Sequence, residues 1–167
     1  MATASQTLEP EAAEFLASTF PALVRNGTNI PIAALAYDAA TDEAAFWKLD
    51  VAQYGSGNLT VTVFWYADSG TSGDVVWGAA LCALTPNSDT QDIETDSLAT
   101  ENTATDSHLG TTAQRLHSVD ITVSNLDSLA QGDAAFLRVR RLGTNGSDTL
   151  NSIDALLERV VVSFTAA

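Results

Sequence analysis

The chain has 167 residues, 46% of them hydrophobic and 17% charged, which excludes a disordered or fibrous polymer and suits one domain with a real core. Seven basic residues against 21 acidic ones leave a net charge of −14. Lys48 and six arginines are too few to neutralise a run of phosphates, which argues against nucleic acid as a partner.

No apolar run approaches the length of a membrane span, so no membrane partner is expected. The start, Met1 to Pro10, lacks the basic and apolar regions of a secretory leader. Assembly in a cytoplasm is therefore expected, and one cysteine, Cys82, allows no intramolecular disulfide. Cys82 lies in an apolar run and should be buried and inert.

Residues 1–29 differ in pattern from the rest of the chain. Glu11 to Ala17 has the composition of a short helix, and Pro21, Asn26-Gly27 and Pro31 then break regularity. The segment reads as an N-terminal arm, either laid on a neighbouring subunit or docked on its own domain. Residues 30–167 read as the domain itself.

The first strand pattern is Ile32 to Tyr37 and the second Glu43 to Val51, with Ala45, Trp47, Leu49 and Val51 on the core face. The strongest is Asn58 to Ala67, in which Leu59, Val61, Val63 and Trp65 should face inward. A turn-rich break, Asp68 to Gly73, leads to Asp74–Leu81, and the two runs read as a β-hairpin. Asp74–Leu81 is apolar on both faces, so something must cover both, inside the domain or from another subunit. Residues 85–113 form a long acidic loop with a short strand expected near Ile93 or Leu98. Three more strands are expected at 114–123, 134–141 and 155–164. Seven or eight strands with almost no helix predict an all-β fold: a two-sheet antiparallel β-sandwich, jelly-roll-like, with an N-terminal arm.

Chemistry is sparse. His108 and His117 could join a Ser-His-Asp triad on paper, but no Gly-x-Ser-x-Gly elbow occurs, and an enzyme is not expected. One cysteine and two histidines make zinc improbable, and the carboxylates Asp89, Asp92, Glu94 and Asp96 lack the order of a calcium loop. No metal and no cofactor are expected. Trp47, Trp65, Trp77, Tyr54 and Tyr66 could form a sugar-stacking platform; core packing is the favoured reading for the tryptophans, and Tyr54, beside glycines, is the aromatic expected outside.

The segments Gly57 to Tyr66 and Ser69 to Gly78, and later Gly132 to Arg141 with Asn145 to Leu150, resemble β-sandwich or jelly-roll virion structural proteins of tailed bacteriophages, of the head-decoration (cement) type. The resemblance spans residues 30–165 and carries no catalytic residues. It implies a capsid exterior location, a homotrimer, and the major capsid protein as partner. Phe15, Leu16 and Phe20 of the arm and Arg138, Arg140 and Arg141 near the C-terminus would be the subunit contacts. The alternative is a phage tail or fibre module that recognises a host surface through glycans, and a cellular carbohydrate-binding module ranks third.

Overall fold

Runs with apolar residues at every second position become strands whose inner faces must be buried against a second layer. The computed structural model describes residues 1–167 and contains ten strands. They are β1 (Thr3–Leu8), β2 (Ala22–Asn26), β3 (Ile32–Tyr37), β4 (Asp42–Leu49), β5 (Tyr54–Ala67), β6 (Asp74–Leu84), β7 (Asn102–Ser107), β8 (His117–Val123), β9 (Ala134–Leu142) and β10 (Ala155–Ala166).

All pairing is antiparallel, in two sheets. The first sheet runs β2-β3-β10-β5-β8, and the second runs β4-β9-β6-β7. Val160 to Ser163 pair with both β5 and β1, so β1 lies on the flank of β10 opposite β5, beyond the end of β3. The fold is the expected β-sandwich.

Between the sheets sit Trp47 from β4, Trp65 from β5 and Trp77 from β6, each almost wholly buried. Leu59, Val61 and Val63 line the same core, as their alternation requires. Tyr37 packs edge-on to Trp77 at 5.1 Å, and its hydroxyl donates to the Val139 carbonyl at 3.0 Å. A buried indole supplies about 150–250 Å² of apolar area, so the tryptophans have no ring face left for a sugar.

Three expectations need correction, and of the two readings open for the arm the structure has the second. β5 and β6 are not a hairpin. The link from Asp68 to Gly73 carries the chain from the first sheet to the second, where β6 pairs with β9 and β7. Both runs are central strands, and a six-residue link can cross the ~10 Å between packed sheets. Residues 1–29 dock on their own sandwich: Thr3–Leu8 pair along β10, and β2 extends the sheet beyond β3. The helix expected from Glu11 shrinks to a single 3-10 turn, Pro10–Ala12. The strand in the acidic region lies at 102–107, outside the expected positions near Ile93 and Leu98.

The outer face of β6 is covered from within the chain. Ala80, Cys82 and Leu84 are buried there, the Ala99 amide donates to the Leu81 carbonyl at 2.8 Å, and Asp96 meets the Cys82 sulfur at 3.8 Å. The acidic loop is thus folded over the second sheet. Its carboxylates cap turns: Asp89 accepts from the Thr85 amide at 2.7 Å and Asp92 from the Glu94 amide at 2.9 Å.

Candidate functional site

A cleft of about 500 Å³ opens on the outer face of the first sheet. Its floor is made by an irregularity in β10. The register against β5 shifts between Leu157 and Arg159, so Glu158 is an extra residue in the ladder. Leu157 and Val160 stay in the core, while Glu158 and Arg159 both line the cleft. A regular strand would send neighbouring side chains to opposite faces; a bulge re-aims one of them, a device common beside binding sites.

The two form an ion pair. The Arg159 guanidinium also lies 3.8 Å above the ring centroid of Phe64, on the outward face of β5. This stacking fixes the long side chain over a rigid surface.

The walls come from four other segments. Tyr66, Ala34 and Leu156 form a small apolar cluster on this face, against which Ile32 packs. The Tyr66 hydroxyl accepts a bond from Asn26 Nδ2 at 3.3 Å. Gly27 turns the chain there with φ of +97°, and a Cβ would stand 2.0 Å from the Ile30 carbonyl oxygen, so only glycine fits. Opposite, the segment between β7 and β8 presents Leu116 and Gln114, whose Nε2 donates to the Asp68 carbonyl at 2.7 Å. The cleft therefore joins a short apolar floor to amide, carboxylate and guanidinium groups.

The residues expected as subunit contacts lie elsewhere. Phe15, Leu16 and Phe20 are 39%, 67% and 45% exposed, and the two phenylalanine rings meet at 5.5 Å. Arg138 and Arg140 lie on the outer face of β9 and converge on Glu101, at 2.9 Å and 2.7 Å. Arg141 is a correction. It points into the sandwich, fully buried, and forms a two-pronged pair with Asp148 at 2.9 Å and 2.7 Å. Its remaining donors serve the carbonyls of Tyr37, Leu150 and Ile153. It cannot reach a partner, because the same alternation that turns Arg138 and Arg140 outward turns Arg141 inward.

Tyr54 is also a correction: it is 7% exposed, stacked edge-on against Phe164 and bonded to the Gly57 carbonyl at 2.7 Å.

One group of metal-type ligands is close together. Cys82, Asp96 and Asp127 bring Sγ and carboxylate oxygens within 4.8 Å of one another. Burial, followed by the charges of Asp96 and Asp127, pushes the thiol up to about 11, so it stays protonated and donates to Asp96. The Asp127 carboxylate also accepts from the Ala83 amide at 2.9 Å. His108 and His117, nine residues apart in sequence, face each other at 4.6 Å between ring centroids.

No signal in the sequence marked the cleft. A bulge has no residue signature, and Asn26, Asp68, Gln114 and Arg159 lie far apart along the chain.

No known family model matches this sequence, and no curated protein matches it. Solved structures do. A family 35 carbohydrate-binding module, CBM35 from Cellvibrio japonicus Abf62, aligns over 98% of this chain and 96% of its own at 16% identity, with a TM-score of 0.51. A non-crystalline cellulose specific carbohydrate-binding module, CBM28, aligns over 91% and 84% at 14% identity and a TM-score of 0.49. A family 11 module from Clostridium thermocellum aligns over 95% and 87% at 7% identity and 0.46. At 16% identity the first of these shows a shared fold: the chain carries the β-sandwich that this carbohydrate-binding module also has.

Proposed function

We propose that the protein is a non-catalytic recognition module that binds a neutral glycan in the cleft on the first sheet. The observation that carries this reading is the β10 bulge, which sets Glu158 and Arg159 side by side on the floor of a ready-made groove. A sugar ring presents apolar C–H faces and a rim of hydroxyls. Tyr66, Ile32 and Leu116 suit the first, and Asn26, Gln114, Asp68, Glu158 and Arg159 suit the second. Two carboxylates in the cleft and a net charge of −14 disfavour uronic or sulfated chains. That a solved structure of the same fold is described as a carbohydrate-binding module supports the choice of ligand class. The host-surface module of a tailed phage is one setting in which such a protein would work.

Titration calorimetry with neutral oligosaccharides of glucose, xylose, mannose and galactose, and with uronic-acid oligomers for contrast, tests the reading. Binding to at least one neutral series is expected, weakened about tenfold in Gln114→Ala and Arg159→Ala, the loss of one good hydrogen bond each. Absence of binding to every neutral series, or wild-type affinity in both variants, overturns it.

A second reading, as a capsid decoration protein, is favoured by the exposed Phe15, Leu16 and Phe20. It requires a homotrimer that docks on capsid subunits. Light scattering on the purified chain, and mass spectrometry of virions for copy number, test it; a few copies per particle would leave the fibre setting and remove this one.

A further inference from the structure

The wall of the cleft opposite Asn26 depends on two buried histidines that the glycan reading does not use. His108 ends β7's outgoing segment and His117 begins β8. Both are buried. The 108–116 loop between them carries Gln114 and Leu116 into the cleft.

Each ring accepts a backbone N–H from this loop. Gly110 donates to His108 Nδ1 at 3.0 Å, and Leu109 donates to His117 Nε2 at 3.0 Å. His108 uses its other nitrogen, Nε2, against the Ala113 carbonyl at 2.9 Å, so its proton sits there. His117 must carry its proton on Nδ1, a buried atom with no well-formed hydrogen bond, served only weakly by the Arg115 backbone. Both rings are therefore neutral, in opposite tautomers. The loop they hold is not relaxed: Gly110 and Thr111 have φ of +75° and +73°, and a β-branched residue is strained there.

We propose that His108 and His117 form an acid-released latch: neutral rings hold the 108–116 loop against the sandwich, and protonation of His117 frees the Gln114–Leu116 wall. The added proton on Nε2 would point at the Leu109 N–H, turning an acceptor into a second donor. A cation there would also face the His108 ring at 4.6 Å; the Trp65 ring, stacked on His117 at 4.6 Å, would attract it and works against release. The charged groups around the pair are Asp106 on β7, whose carboxylate is held by the Trp65 indole N–H at 2.8 Å, and Arg115 within the loop. Burial, with help from His108, pushes the His117 imidazole below its ordinary value; Asp106 and a hydrogen bond with the Arg115 backbone oppose this, and the Arg115 charge adds to it. Release therefore begins below about pH 6.5, the ordinary imidazole midpoint. Its bearing on ligand binding rests on the cleft being the glycan site; the latch itself does not.

Amide hydrogen exchange by NMR, corrected for intrinsic rates, tests this without any ligand. Between about pH 7.5 and about pH 4.5, exchange at Leu109 and at the Gln114 side-chain amide should accelerate about tenfold or more as the opened loop gains population. Val61, in the middle of β5, should stay protected over the same range. His117→Gln, which offers an oxygen acceptor that does not titrate, should flatten the Leu109 profile. A flat wild-type profile overturns the latch and leaves the glycan reading standing, and so does an unchanged pH dependence in the variant. If the variant fails to fold, the wild-type profile decides alone.

Discussion

Arg140 and Arg141 are neighbours on β9 with opposite environments. Arg140 meets Glu101 and, at 3.9 Å, Asp42 on a partly wet face. Arg141 has no contact with water, and every one of its partners lies inside the chain. A buried pair contributes little relative to apolar residues of the same volume, but removing one member strands the other. Arg141→Met should therefore cost about 3–5 kcal/mol, because the Asp148 carboxylate stays buried without its partner. Arg141→Lys should recover only part of this, since an ammonium cannot make the two-pronged bond. Urea denaturation midpoints measure both. Cys82 gives a second test at this scale. With its thiol pushed up to about 11 by burial and by Asp96 and Asp127, it should resist iodoacetamide in the folded protein at pH 8 and react once the chain is unfolded in urea.

Among the elements, those with strong period-two patterns were legible from sequence. β3, β4, β5, β9 and β10 stand within two residues of where alternation puts them at one end or both, and their inward residues are the core. β1, β2 and β7 were not legible. Thr3–Leu8 and Asn102–Ser107 are mostly polar, and their stability comes from pairing with β10 and β6. The cleft was illegible for a related reason: a bulge is decided by the partner strand, not by Glu158 itself. Only composition was visible at Gly78, yet structure gives it a role. Glu101 reaches across β6 at Gly78 to the arginines of β9, and a Cβ would stand 2.5 Å from its carboxyl carbon. Replacing glycine in a strand usually gains about 0.5–1 kcal/mol of chain entropy. Here Glu101 is held by three hydrogen bonds from Arg138 and Arg140, so it cannot swing aside. Overpacking at about 1–3 kcal/mol should win, and Gly78→Ala should lower thermal stability by calorimetry.

For the whole molecule, the excess negative charge is unevenly placed. Asp38, Glu43, Asp68 and Asp154 gather where β3 ends, β5 ends and β10 begins. Partial burial, then the charges of Asp38 and Asp68, pushes the Asp154 carboxyl above its ordinary value. Burial, reinforced by Asp38 and Asp154, does the same to Glu43. A raised folded-state value means that the folded protein holds its proton more tightly than the unfolded chain. Such a group supports folding below the ordinary carboxylate range and loses that support as pH rises through the folded value. At neutral pH both groups are therefore a liability. Asp154→Asn removes one charge from this end without touching the backbone bond by which the Asp68 amide donates to the Asp154 carbonyl at 3.0 Å. After screening by solvent the gain should be about 0.5 kcal/mol at most, a rise of roughly 1–2 °C in Tm for a domain of this size. It should be greatest at neutral pH in low salt, shrink as salt is added, and vanish as the wild-type carboxyl takes up its proton on acidification. Calorimetric scans of the two proteins across pH and salt would show it, and a gain that grew toward acid would mean that the carboxylate is favourably paired.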